Sequence, residues 1–425
     1  MRMACLILKT LISIKHNNMS YKTTIDLKEL VYKDDIQNIC DMMILGAVLE
    51  SSDIHIEPLS SFVRLRYRLD ELREILEYQS FLHAGVVARF KILSDLKIDE
   101  SRKPQDGRIS RNVEKDLDLR VSTLPTIHEK LVMRIVDKSK KIPQLTDLIQ
   151  KNLELVKKAI SLPNGIILTC GPTGSGKSTT LYAALTLLNK IDVNIMTLED
   201  PVENQVDGIN QSQVKPDIGY TFAYLRTALR QDPDIIMVEM RDKETVDIAV
   251  EASLTGHLVL STIHTNNASE TITRVLNMVQ PFLIPASFNL VLAQRLVKKL
   301  CVCKQAYNLS ELGPDKLKDI KYAMSITDKK ELQSRLGDIL KAPKLYKPVC
   351  DICDGSGYKR VGIYEALEIT PGVKAMILNG QSAFNINKQA IADGMISLEQ
   401  DGIIKALGGY TSLEEVYRAA KTQNG

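Results

Sequence analysis

The chain has 425 residues, 44% of them hydrophobic and 25% charged, so it can bury a sizeable core and is not a disordered polyelectrolyte. Its 55 basic and 52 acidic residues leave a net charge of +3, which removes any electrostatic demand for nucleic acid or an anionic membrane as partner. No apolar run reaches the roughly 18 residues of a spanning helix; the run at residues 4–14 is broken by Lys9 and Thr10 and lacks the small-residue cleavage site of a signal peptide.

Residues 1–32 therefore read as a leader, untranslated or disordered, with Met19 as an alternative start, and a soluble cytoplasmic protein is expected. Val63-Arg64-Leu65-Arg66-Tyr67-Arg68 alternates apolar with basic residues, the period of a half-buried strand, and residues 84–96 read as a helix. Residues 33–142 are thus expected to form a small α/β domain, with 143–150 as linker. From Gly165 the pattern changes. Short apolar strands at 166–169, 194–198, 235–238 and 258–261 alternate with helices at 179–189, 221–230 and 243–254, which predicts a parallel sheet covered by helices over 150–300. A cysteine-bearing region follows at 301–365 and a helical C-terminal region at 366–425.

The strongest chemical signal is Gly171-Pro172-Thr173-Gly174-Ser175-Gly176-Lys177-Ser178-Thr179, a G-x-x-x-x-G-K-S run after a strand and before a helix. Glycines let successive backbone N–H groups turn inward around a phosphate, and the following helix offers its positive end. Lys177 is expected to reach the β/γ-phosphates of ATP and Ser178 to ligate Mg²⁺. Asp234-Ile235-Ile236-Met237-Val238-Glu239 is a second apolar strand ending in acid, which makes Glu239 the candidate for orienting the attacking water. Glu199, Asp200 and Glu203 follow another buried strand and are second candidates. His257 and His264 flank the strand 258–261; they are either structural histidines or γ-phosphate contacts. Arg226 and Arg230, four apart on one expected helix, either pair with surface acids or project across a subunit boundary.

Ser52-Asp53-Ile54-His55-Ile56-Glu57-Pro58, the phosphate loop, Thr197-Leu198-Glu199-Asp200-Pro201-Val202-Glu203, Leu229-Arg230-Gln231-Asp232-Pro233-Asp234, Thr255-Gly256-His257-Leu258-Val259-Leu260-Ser261-Thr262 and the late cysteine pairs occur in that order. Together they resemble the secretion ATPase family of type IV pilus assembly and type II secretion, over residues 33–425. The resemblance implies a RecA-like core in a homo-hexameric ring, with ATP between the N-terminal domain and the core. It also implies hydrolysis that drives an inner-membrane platform protein and a peripheral membrane location; the near-neutral charge and the lack of a basic, aromatic-interleaved stretch argue against direct nucleic-acid binding. It places Glu199 and Glu203 in an aspartate box, Glu239 in a Walker B strand, His257 and His264 in a histidine box, and Arg226 and Arg230 among intersubunit arginines. Cys301, Cys303, Cys350 and Cys353 match the family's four-cysteine zinc site, although Cys301-Val302-Cys303 is one residue short.

Single residues are also absent, relative to the family pattern, between Asp70 and Glu71, His128 and Glu129, Tyr224 and Leu225, Val238 and Glu239, Met278 and Val279, and Lys359 and Arg360. Glycine is the family residue at nearly all of these points, which implies a gene in which in-frame UGA is read as glycine. A residue lost at a strand end turns the next side chain to the opposite face, so the shortened approach leaves the direction of Glu239 at the strand tip open. Two other readings stay open: a DNA-uptake or conjugation relative, and a nucleotide-binding scaffold without efficient hydrolysis.

Overall fold

The computed structural model describes residues 36–48, 51–68, 72–113, 115–137, 141–150, 152–215, 219–326, 343–349 and 360–420. The chain divides into two units, residues 1–141 and 142–425.

In the first unit six strands form one antiparallel sheet: β1 (Asp53–Pro58), β2 (Phe62–Arg68), β3 (Leu72–Gln79), β4 (Gln105–Val113), β5 (Lys115–Pro125) and β6 (Glu129–Asp137), in the order β3-β2-β1-β6-β5-β4. Helices α1 (Ile36–Val48) and α2 (His83–Leu93) cover one face. The period-two pattern explains the layering. Ile54, Ile56, Val63, Leu65 and Tyr67 join Met43 and Phe90 in the core, whereas Glu57 on the other face pairs with Arg66 at 2.7 Å and Lys130 at 2.9 Å.

The second unit is a seven-stranded sheet in the order β15-β12-β7-β11-β10-β8-β9. Its strands are β7 (Gly165–Cys170), β8 (Ile195–Glu199), β9 (Asn210–Gln213), β10 (Ile235–Glu239), β11 (Leu258–Ile263), β12 (Phe288–Lys298) and β15 (Arg360–Glu368). All neighbours run parallel except β12 and β15. Helices α3 (Lys177–Leu188), α4 (Lys243–Leu254) and α5 (Ala268–Leu276) connect them. The strands are buried on both faces: Ile236 and Val238 enter one apolar cluster, Ile235 and Met237 the other. Helix α4 begins where a capping box sets it, with the Asp242 carboxylate accepting from the Thr245 N–H at 2.8 Å.

Three expectations change here. The expected linker at 143–150 belongs to the second core, because Leu145 and Ile149 are buried in it. The expected helix at 221–230 is a short helix at Leu225–Ala228 between two 3₁₀ turns. The core sheet is not complete by residue 300, since β15 returns from beyond the cysteine region to pair with β12.

A two-stranded ribbon of β13 (Gln305–Asn308) and β14 (Lys344–Lys347) and helix α6 (Pro314–Ile326) lie between β12 and β15 in the chain. The C-terminal region is four helices: α7 (Pro371–Leu378), α8 (Ala383–Ala392), α9 (Leu398–Leu407) and α10 (Leu413–Ala420). Helix α9 is pinned to β15 by buried polar groups. The Lys405 amine donates to the Gly362 carbonyl at 2.6 Å and to the Asp401 carboxylate at 2.8 Å, and the same carboxylate accepts from the Tyr364 N–H at 3.0 Å.

Candidate active site

Because β7, β8, β10 and β11 run parallel, their carboxyl ends open at one edge of the sheet, and the chemistry collects there. The loop after β7 is Gly171 to Gly176, and α3 opens at Lys177. Gly176 adopts φ 86°, and a Cβ on Gly171 would lie 2.6 Å from the Gln294 carbonyl and 2.5 Å from the Ser175 hydroxyl; both positions therefore require glycine. The loop is closed on itself. Lys177 is buried, and its amine donates to the Gly171 carbonyl at 2.8 Å and the Pro172 carbonyl at 3.0 Å. Burial holds its pKa below the ordinary lysine value, against the opposing charge of Glu239.

Glu239 ends β10 with its carboxylate at this edge, and its field reaches Lys177. Strand β10 stays in register with β11 to its last residue, Glu239 opposite Thr262, with no bulge. One carboxylate oxygen accepts from Arg241 at 2.7 Å and the other lies 3.5 Å from His264. Arg241 also donates to Asp200 at 2.8 Å, and its guanidinium stacks 4.9 Å from the Phe222 ring centroid. One cation thus joins the tips of β8 and β10. Arg241 was missed in the sequence, although its spacing of two from Glu239 puts both on one side of an extended segment.

Other expected residues lie elsewhere. Glu199 is buried, and its carboxylate accepts from the Thr197 hydroxyl at 2.5 Å, Gln211 at 3.2 Å and the Tyr182 hydroxyl. A carboxylate so engaged braces α3 against β8 and β9. Glu203 is exposed on the following loop and contributes to the field at Lys177. His257 precedes β11, so it stands about 20 Å from His264, the length of that strand; its ring bonds the Ala252 carbonyl at 2.9 Å at the end of α4. It takes the structural reading. Arg226 and Arg230 are exposed, and Arg226 pairs with Glu251 at 3.3 Å across open surface, a contact of small energy.

Burial pushes the Glu199 carboxyl above the usual range, against the hydrogen bonds from Thr197, Tyr182 and Gln211. A raised acid binds its proton more tightly folded than unfolded, so its contribution to stability is present below the unfolded pKa and lost as pH rises through the folded one. Glu199→Gln is expected to flatten that decline, so that its Tm relative to wild type rises between pH 5 and pH 8. A constant Tm difference across this window would remove Glu199 as the source.

Ser178, Glu239 and Asp200 offer only hard oxygen donors, which suits Mg²⁺. Cys301 and Cys303 lie sulfur to sulfur, while Cys350 and Cys353 fall outside the described residues; no group of three or more metal-ligating side chains occurs among the described residues.

A glycine-lined phosphate loop at the tip of a central parallel strand, with a lysine and an acid from a second strand beside it, defines a P-loop nucleotide-binding protein. The sequence profile described as Type II/IV secretion system protein matches residues 31–418. The chain is similar to the Type IV pilus assembly ATPase PilB of Myxococcus xanthus, 44% identical over 395 residues, covering 90% of this chain and 67% of that protein. It is equally similar to the Type II secretion system protein E of Dickeya dadantii, 44% identical over 385 residues and covering 88% and 73%. The fold is shared with the Legionella pneumophila ATPase DotB, at a TM-score of 0.63, 21% identity, and coverage of 89% and 94%. The chain belongs to the type II/IV secretion family and is one of its ATPases. It spans about two thirds of the length of the PilB relatives from Myxococcus xanthus and Pseudomonas aeruginosa. No helix among the described residues is long and apolar enough to cross a membrane.

Proposed function

We propose that the protein is a Mg²⁺-dependent hexameric motor that hydrolyses ATP to assemble pilin-like subunits at an inner membrane, acting on a platform protein from its cytoplasmic face. The observation that carries this reading is that Glu239 ends its strand at the sheet edge where the phosphate loop and Lys177 lie, in a chain 44% identical to a pilus assembly ATPase. Lys177 and the loop N–H groups bind and orient the β/γ-phosphates, and Glu239 takes the proton of the attacking water. Ser178 would hold Mg²⁺, which when bound would supply charge neutralisation at the phosphates. Arg241 and His264 fix the Glu239 carboxylate between them.

Turnover by a purified hexamer, unstimulated by DNA, is the expected result. Stimulation by DNA would favour a DNA-uptake or conjugation relative, and tight ATP binding without turnover a scaffold.

We also propose structural zinc on Cys301, Cys303, Cys350 and Cys353, with all four thiols reduced. Purified protein is expected to carry about one zinc per chain, as a tetrahedral four-thiolate site holds, and Cys350→Ser to lose it. Metal-free wild type, prepared under reducing conditions without chelator, would refute the site.

A further inference from the structure

Strand β12 lies directly beside the phosphate-loop strand, with Ala293 opposite Cys170, so the next two residues of β12 stand level with the loop. Both are polar in an otherwise apolar run, and they serve opposite faces. Gln294 is 1% exposed and its amide donates to the Ser175 carbonyl at 2.7 Å, clamping the loop from one side. Arg295 turns to the other face, where Nη2 donates to the Asn266 carbonyl at 2.7 Å, just beyond His264. Its second terminal nitrogen, Nη1, is shut off from solvent and finds no acceptor among the described residues. The charges around it are Lys177, Glu365 and Glu270. Its partner Asn266 lines a cleft of about 660 Å³, shared among others with Pro172, Thr173 and His264.

A buried donor left without an acceptor costs about 1–3 kcal/mol and calls for an explanation. Glu365 does not supply one, because its carboxylate is taken up by the N–H groups opening two helices, Ala268 at 2.8 Å and Leu398 at 3.3 Å.

We propose that Arg295 is a phosphate-contacting residue of this same site, whose Nη1 is held ready for the terminal phosphate of ATP. The inference rests on the nucleotide-binding reading above and adds a discrimination that Lys177 alone does not give: the triphosphate satisfies Nη1, the diphosphate does not. Asn266 fixes the guanidinium from behind, so the arginine arrives oriented.

Binding of ADP and of a non-hydrolysable ATP analogue to the full chain with Mg²⁺ tests this, in wild type, Arg295→Lys and Arg295→Gln. Arg295→Gln is expected to weaken the triphosphate analogue by about 10- to 100-fold, the effect of one hydrogen bond to a charged group, and to leave ADP within about threefold. Arg295→Lys is expected to restore part of the difference. Equal weakening of both nucleotides would make Arg295 a structural counter-charge, and unchanged binding of both would leave it no phosphate role; either overturns the inference. Should Arg295→Gln fail to fold, the ratio of the two affinities in Arg295→Lys decides between the same outcomes. Wild type that binds neither nucleotide would overturn the nucleotide-binding reading itself and the inference with it.

Discussion

ATP turnover is expected to fall by about 10²–10³-fold in Lys177→Ala, the loss seen when one preorganised donor to a developing oxyanion is removed. The amine sits in a buried loop, and its two present acceptors are carbonyls of that loop, within reach of where a phosphate enters. Low local dielectric makes such a cation worth more to a polyanion than the same charge on the surface. Alanine also removes a desolvated charge, so the variant should still fold. Lys177→Arg should not restore turnover, because a planar guanidinium cannot take the place of a compact ammonium in a loop this tight. Phosphate release at saturating ATP is the measurement. Retention of more than about a tenth of wild-type turnover would mean that the loop N–H groups suffice for the electrostatics.

Glu239→Gln is the second large effect: turnover is expected to drop about 10²–10⁴-fold, the usual contribution of a positioned general base, while ATP affinity holds or tightens. Glutamine has the same shape, so β10 keeps its register with β11, and the amide oxygen can still accept from Arg241. What disappears is the negative charge and the capacity to take a proton. Parallel single-turnover and binding experiments separate the two consequences. If Glu239→Gln turns over normally, the base must be sought at Asp200 or Glu203, since Glu199 is engaged with Thr197, Gln211 and Tyr182.

What could be read from sequence was local. The phosphate loop announces itself because nine consecutive residues carry its conformation, its charge and its helix start together. Helix α4 matched its expected span, Lys243–Leu254, since its capping signal lies within four residues of its first turn. Directions across the sheet were harder. Glu199 and Asp200 are neighbours in sequence, yet one side chain turns in toward Tyr182, 17 residues upstream, and the other out to Arg241. Strand alternation dictates that they diverge but not which way each goes. His257 and His264 are close in sequence and end at opposite edges, because the strand between them is fully extended. Arg226 and Arg230 fall on two different helix types, so the 3.6-residue spacing on which their shared face was argued does not run unbroken between them. Gln294 and Arg295 were visible as a polar pair interrupting a buried strand, a signal passed over for lack of a motif.

The buried bonds of Lys405 to Gly362 and Asp401 have a mechanical reading. To peel α9 away from β15, a force must expose an ammonium and a carboxylate that are both almost wholly inside the protein, 3% and 2% exposed at their side chains. The pair itself lies within α9; what peeling breaks are its bonds to β15, the Lys405 amine to the Gly362 carbonyl and the Tyr364 N–H to the Asp401 carboxylate, which leaves buried partners unsatisfied at about 1–3 kcal/mol each. Helix α9 and the edge strand β15 are therefore a stiff joint: a load applied to either one moves both before the contact between them frays.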